Sequence, residues 1–191
     1  MRAIQVSRGQ ASGIFIVADG MGGEAAGEVA SGLAVRSAAA VVLTDYLVPQ
    51  IAAEPAQTNA QLEAIVQKAV RAANRSVLCV IDERNIKMGT TFVMALVAES
   101  RVAIGNIGDS RAYLYRGGEL TRIGQDHSLV MRLVMLGQLD EHEIYDHPQR
   151  HVILRSLGDL PDVEADVFLQ SLHPDDGLML CCDGQWEKVR D

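Results

Sequence analysis

Apolar side chains recur at three- and four-residue steps from Leu62 through Ile65, Val66, Ala69, Val70, Ala73 and Val77 to Val80. That period sets them on one face of a long helix, and Thr58-Asn-Ala-Gln61 just ahead has the form of a capping box. Upstream, the apolar run IFIV reads as a strand, and residues 23 to about 46 are rich in Ala, Gly and Val without proline. Such small side chains predict a helix packed closely on a sheet. Residues 49–59, which include Pro49, read as a loop. From Thr90 the period shortens: TTFVMALVA, RVAIGNIG, RAYLYR and ELTRI are short strands, with Glu99-Ser100 and Gly117-Gly118 placed as tight hairpin connections. An antiparallel meander is expected there. A helix over 129–136 and a polar, histidine-bearing stretch over 140–151 follow, and then VEADVFLQ, a half-exposed strand, and GLMLCCDG, a short buried one.

Composition narrows this picture. The chain of 191 residues, 48% hydrophobic and 22% charged, is long enough for one domain with a sizeable core. With 17 basic against 25 acidic residues, a net charge of −8, it carries no basic stripe for nucleic acid phosphates. Its apolar runs all read as far shorter than the roughly 20 residues of a membrane span, and MRAIQVSRGQ has no signal-peptide centre. A cytoplasmic protein without a membrane partner is expected. Cys79, Cys181 and Cys182 show neither disulfide nor zinc-site spacing and read as buried, reduced packing residues. A cysteine-dependent phosphatase needs an arginine six residues after its nucleophile, and Glu187 and Lys188 stand there instead.

Candidate chemistry gathers at strand ends. IFIVADG, IGNIGDS and LMLCCDG each run an apolar strand out into an aspartate beside glycine: Asp19 with Gly20, Asp109 with Gly108, Asp183 with Gly184. Carboxylates so placed are held rigidly yet project into the loop layer. Each pair alone is an ordinary turn signal; three that converge make a hard oxygen site suited to Mg²⁺ or Mn²⁺. A competing pattern lies in the same stretch, because Gly20, Gly22 and Ala25 fit a dinucleotide fingerprint and VVLTD imitates its second strand. Asp19 opposes it by placing negative charge where a pyrophosphate would sit, and the successive hairpins oppose it by topology. A titration with NADH discriminates the two.

VADGMGGEAAGEVAS, MGTTFVMAL, IGNIGDSRAYLYRGGELTRIGQDHSLV, HVILRSLG and LMLCCDGQWEKVRD resemble, in order and over nearly the whole chain, the motifs of the bacterial PPM or PP2C metal-dependent serine/threonine phosphatases. The resemblance implies an α+β fold, two stacked antiparallel sheets flanked by helices on both sides, as a single partial domain over 1–191. It implies that Asp19 bridges two Mn²⁺ or Mg²⁺ ions, that the Gly20 carbonyl ligates one, and that Asp183 ligates the second. Asp109 with Asp183 then holds a third, weaker ion. The catalytic residues so implied are Asp19 and Asp183, and paired cations lower the pKa of a shared water from 15.7 toward roughly 7. Met21 stands where eukaryotic members carry a histidine, so no general acid is expected there. Asp126 and His127 resemble structural landmarks, and residues 134–150 the flap beside the site. His142, His147 and His151, in a polar stretch, read as solvated side chains, and no ligand is assigned in the flap.

The ends depart from the family pattern. The phosphate-binding arginine and following acidic motif expected at the N-terminus have no good counterpart, Arg2 and Arg8 being poorly placed, and the Asp-Asn motif expected after WEKVRD is absent. A chain shortened at both ends, with part of its metal shell missing and weak or no turnover, is therefore expected. The alternative is a non-catalytic pseudophosphatase or regulatory module of the same fold. Partners implied by the resemblance are phosphorylated proteins, with a serine/threonine kinase and its targets among them; exposed sheet edges suggest dimers.

Overall fold

The computed structural model describes the backbone of Ile4–Gln5 and residues 12–52 and 55–189. Arg2, Arg8 and Asp191 lie outside the described residues. In chain order the elements are β1 (Ile4–Gln5), β2 (Ser12–Val17), β3 (Gly20–Met21), α1 (Glu24–Val42), a π turn (Leu43–Leu47), α2 (Val48–Ile51), α3 (Asn59–Arg84), β4 (Gly89–Thr90), β5 (Phe92–Ala98) and β6 (Arg101–Ile107). There follow β7 (Arg111–Arg116), β8 (Glu119–Ile123), α4 (Leu129–Met135), a 3₁₀ turn (Glu141–Glu143), β9 (Asp166–Ser171), β10 (Gly177–Cys181) and α5 (Asp183–Trp186).

Helix α3 forms as its sequence dictates. Gln61 N–H donates to Thr58 Oγ1 (3.3 Å) while Thr58 N–H donates to Gln61 Oε1 (2.7 Å), which satisfies two donors of the first turn. Leu62, Ile65, Val66, Ala69, Val70, Ala73 and Val77 are buried, and Asn85 ends the helix in the left-handed region at φ 48°. Cys79, between these positions, faces outward and is exposed, donating to Glu83 Oε1 at 3.4 Å; the expectation of a buried thiol fails there because position 79 lies off the apolar stripe. Helix α1 packs on α3 through Ala30, Ala34, Ala38 and Val42, four residues apart and fully buried. The helix does not stop at Pro49. The π turn widens it, and Pro49 falls in the first turn of α2, where a missing N–H costs little. The expected loop therefore begins after Ile51, and VVLTD is helix and π turn rather than strand. By length and composition, 25–51 is apolar enough to cross a membrane, unlike the uninterrupted runs within it. One face of it packs on α3, while Leu43, Val48 and Ile51 are exposed.

Two antiparallel sheets stack on these helices. The first has the order β1-β2-β5-β6-β9 and the second β10-β7-β8. Ile14, Ile16, Met94, Leu96, Ala98 and Ala103 face α1 and α3. Val93, Ala95, Val97, Val102 and Ile104 face Ala112, Leu114 and Ile123 of the second sheet. Both faces of β5 and β6 are thus covered, which is why their sequences run apolar without alternating. The α+β class and the stacked sheets are those expected, with the long helices on the outer face of the first sheet.

The meander is interrupted. β5–β6 and β7–β8 are hairpins, with Glu99 (φ 59°), Gly117 (φ 61°) and Gly118 (φ 92°) in their turns, but β6 and β7 belong to different sheets. The chain crosses between the sheets at Gly108-Asp109-Ser110. β10 also departs from expectation, since only its Leu178 and Leu180 pack into the inter-sheet core while Met179 is exposed on the other face of this edge strand.

Candidate metal centre

Asp19 follows β2, where its backbone is fully engaged. Its N–H donates to Thr91 Oγ1 (3.1 Å), and its carbonyl accepts from Thr91 N–H (2.9 Å) and Thr90 Oγ1 (2.9 Å). These bonds fix the loop that carries the carboxylate and explain MGTT. Thr91 Oγ1 also bonds Ser110 Oγ at 2.7 Å, tying this strand end to the crossover that bears Asp109. Beyond Asp19, the backbones of Gly20 and Gly27 press together: a Cβ on Gly20 would meet the Gly27 oxygen at 1.9 Å, and one on Gly27 would meet the Gly20 oxygen at 2.6 Å. Gly27→Ala is expected to displace the Asp19-Gly20 turn, destabilising the fold by about 1–3 kcal/mol and weakening Mn²⁺ affinity. Thermal denaturation and calorimetric titration with Mn²⁺ read the two effects.

Asp183 is the first residue of α5, separated from β10 by Cys182 alone. Its carboxylate, that of Asp19 and the Cys182 thiol offer ligand atoms all within 4.8 Å of one another. Cys182, expected to be a buried packing residue, is instead half-buried beside these carboxylates, a placement signalled in the chain only by its adjacency to Asp183. Asp109 stands apart from this group but close enough to feel it. Trp186 Nε1–H donates to the Asp109 carbonyl at 2.9 Å, so the short helix opened by Asp183 is pinned to the crossover. The Arg111 guanidinium lies 3.8 Å from the centre of the same indole and bonds Asp126 at 3.1, 3.1 and 2.6 Å, with both side chains buried.

His127 braces the crossover from below. Gly108 N–H donates to its Nδ1 at 3.0 Å, and its Nε2 lies 3.0 Å from Asp166 Oδ2 and 2.9 Å from Arg155 Nη1. Burial holds this ring below the ordinary histidine range, against the pull of Asp166. Arg155 Nη1 lies alongside and donates to Asp166 Oδ1 at 2.9 Å. Asp126 and His127 are structural braces, as their motif suggested.

The acids repel one another. Burial first, then the hydrogen bond and charge of Asp183, raise the Asp19 carboxyl above its ordinary range. Asp109, 5% exposed, is pushed up to about 7 by burial and then by Asp183, Asp126 and Asp19. Burial and the neighbouring acids likewise hold the Cys182 thiol above its ordinary value, against a lowering hydrogen bond from Gly184. Clustered oxygens that resist ionising on their own are a fit for hard divalent cations, whose charge offsets the repulsion. Because the folded-state pKa of Asp109 is raised, its contribution to stability is present below about pH 3.8 and is lost as pH rises through about 7. The metal-free chain is therefore expected to lose melting temperature between about pH 4 and pH 7 relative to Asp109→Asn, and to level off above that. Scanning calorimetry of the two across that window checks the sign.

A cleft of about 420 Å³ opens at Met21 and Gly22, walled by Lys87, Met88, Ser156 and Asp159; Asp19, Asp109 and Asp183 do not line it. Strand β2 pairs antiparallel with β5, so GMGGEA opens no dinucleotide-binding βαβ unit.

The family model for protein phosphatase 2C matches residues 3–190. The chain belongs to the protein phosphatase 2C family. It is 39% identical over 173 residues to the serine/threonine phosphatase stp of Listeria monocytogenes, an alignment covering 90% of this chain and 66% of that protein. To the serine/threonine protein phosphatase PstP of Mycobacterium tuberculosis it is 36% identical over 180 residues, 93% of this chain and 32% of that one. The crystal structure of Mycobacterium tuberculosis PstP superposes with a TM-score of 0.81 at 34% identity, covering all of this chain and 80% of that one. A PstP catalytic domain in complex with two manganese ions superposes with a TM-score of 0.78 at 33% identity, covering 100% and 79%. The chain thus spans just under two thirds of the length of the Listeria relative.

Proposed function

We propose that the protein hydrolyses phosphate monoesters of serine and threonine in other proteins, with Mn²⁺ or Mg²⁺ held by Asp19, the Gly20 carbonyl and Asp183, and a weaker ion held by Asp109 with Asp183. The observation that carries this reading is the convergence of the Asp19 and Asp183 carboxylates from two different sheets. When bound, paired divalent cations supply a more acidic water and positive charge for the phosphate. The chain's own residues supply position. Thr90 and Thr91 hold the Asp19 turn, Trp186 ties α5 to Asp109, and Ser110 links the crossover to Thr91. Met21 offers no proton, so the leaving oxygen has no general acid at that position.

The substrates in this reading are cytoplasmic phosphoproteins, a serine/threonine kinase and its targets among them, and exposed strand edges are the surface for any dimer. Names of the relatives and the net charge of −8, which disfavours nucleic acid, support it. The test is phosphate release from a phosphothreonine peptide with and without Mn²⁺. Release above the metal-free background is expected. Mn²⁺ binding without release would overturn the hydrolytic reading in favour of a non-catalytic module.

A further inference from the structure

We infer that His151, Asp183 and Glu187 form a binding site for one divalent cation of borderline hardness, the class of Zn²⁺ and Co²⁺, sharing only Asp183 with the centre described above. One ligand atom from each residue lies within 4.8 Å of the other two. Asp183 and Glu187 are four residues apart across α5 and its C-cap, the spacing that brings two side chains onto one helix face. His151 reaches them from the far side of the polar stretch. Its neighbour Val152 is anchored by its carbonyl, which accepts from Leu129 N–H at 2.9 Å, and by its N–H, which donates to Gln149 O at 3.1 Å.

The separations within the group suit a shared ion. His151 Nδ1 stands 3.4 Å from Glu187 Oε1, an ion-pair distance when the ring is protonated. Two ligands bound at about 2.1 Å with a tetrahedral angle between them are about 3.4 Å apart. Two carboxylates and one imidazole leave room for water on an ion at this half-open position, where the His151 side chain is 57% and that of Glu187 22% exposed. Imidazole is the discriminating donor: Mg²⁺ prefers oxygen throughout, whereas Zn²⁺ and Co²⁺ accept nitrogen readily. Arg150 Nε, 3.4 Å from the same Glu187 oxygen, is the charge that an incoming ion displaces. Asp109, expected to share an ion with Asp183, belongs to neither mixed-donor group. A cation at this position ties the segment carrying His151 to the helix that opens on Asp183.

The inference rests on these three side chains and not on the hydrolytic reading. The test is a titration of the full chain with Co²⁺ in saturating Mg²⁺, followed by visible absorption and calorimetry. One Co²⁺ per chain with a nitrogen-ligand d–d spectrum is expected. His151→Ala and Glu187→Gln should each weaken it at least about tenfold, with far-UV circular dichroism unchanged, and Asp19→Asn should retain it. Identical Co²⁺ isotherms and spectra for the unaltered chain and His151→Ala would overturn the assignment, as would loss of the signal in Asp19→Asn alone.

Discussion

Asp19→Asn is expected to lower Mn²⁺-dependent phosphate release by more than about 100-fold, since partners one shell further from a metal are already worth 10–100-fold. The substitution keeps size and shape, and the backbone bonds to Thr90 and Thr91 do not use the side chain. What it removes is a charge that the metal-free fold tolerates poorly, because burial and Asp183 raise the Asp19 carboxyl. Melting temperature without metal should therefore hold or rise while turnover collapses. A structural role for Asp19 predicts the opposite pairing, with stability and activity falling together. Steady-state kinetics on a phosphothreonine peptide and thermal denaturation in a chelator separate the two.

Arg111→Ala is expected to cost about 3–5 kcal/mol, the penalty for leaving a buried carboxylate without its partner. Burial works against the Arg111 charge, but hydrogen bonds from the guanidinium to Asp126 more than offset it, and the net shift is upward. Removing Arg111 deprives Asp126, with a side chain 3% exposed, of its bidentate partner and leaves Arg122 Nη1, 4.0 Å away, beside it. It also strips the cation from the Trp186 ring, whose N–H holds the Asp109 carbonyl. For a chain of this size such a loss lowers the melting temperature by on the order of 10 °C. Pairing Arg111→Met with Asp126→Asn removes both charges and should recover part of that fall, which a double-mutant cycle by thermal denaturation would register.

How far the sequence reveals these features depends on whether the signal is local. The capping box at Thr58 and the stripe from Leu62 to Val77 are local, and the structure repeats them. So are the hairpin turns at Glu99 and at Gly117-Gly118. The partition of strands between two sheets is not local, because β6 and β7 are each complete strands whose sequences do not say that Gly108 to Ser110 changes layer. Helix continuation past Pro49 depends on a π turn with no residue signature of its own. At the centre, aspartates after apolar runs are visible in the chain, and two of the three come together directly. The clamp on Asp19, the Trp186 bond to Asp109, and the meeting of His151 with Glu187 arise from tertiary packing across 72, 77 and 36 positions respectively. Cys182 shows the converse: its spacing from the other cysteines reads as packing, yet its thiol lies within 4.8 Å of ligand oxygens of Asp19 and Asp183.

If Asp19 and Asp183 converge in order to hold cations, manganese should lodge between them. Crystals soaked in Mn²⁺ and measured at the manganese absorption edge test it directly. Anomalous difference density is expected between the Asp19 and Asp183 carboxylates, lost in Asp19→Asn crystals. Density confined to other carboxylates, or the same density in Asp19→Asn, would contradict it.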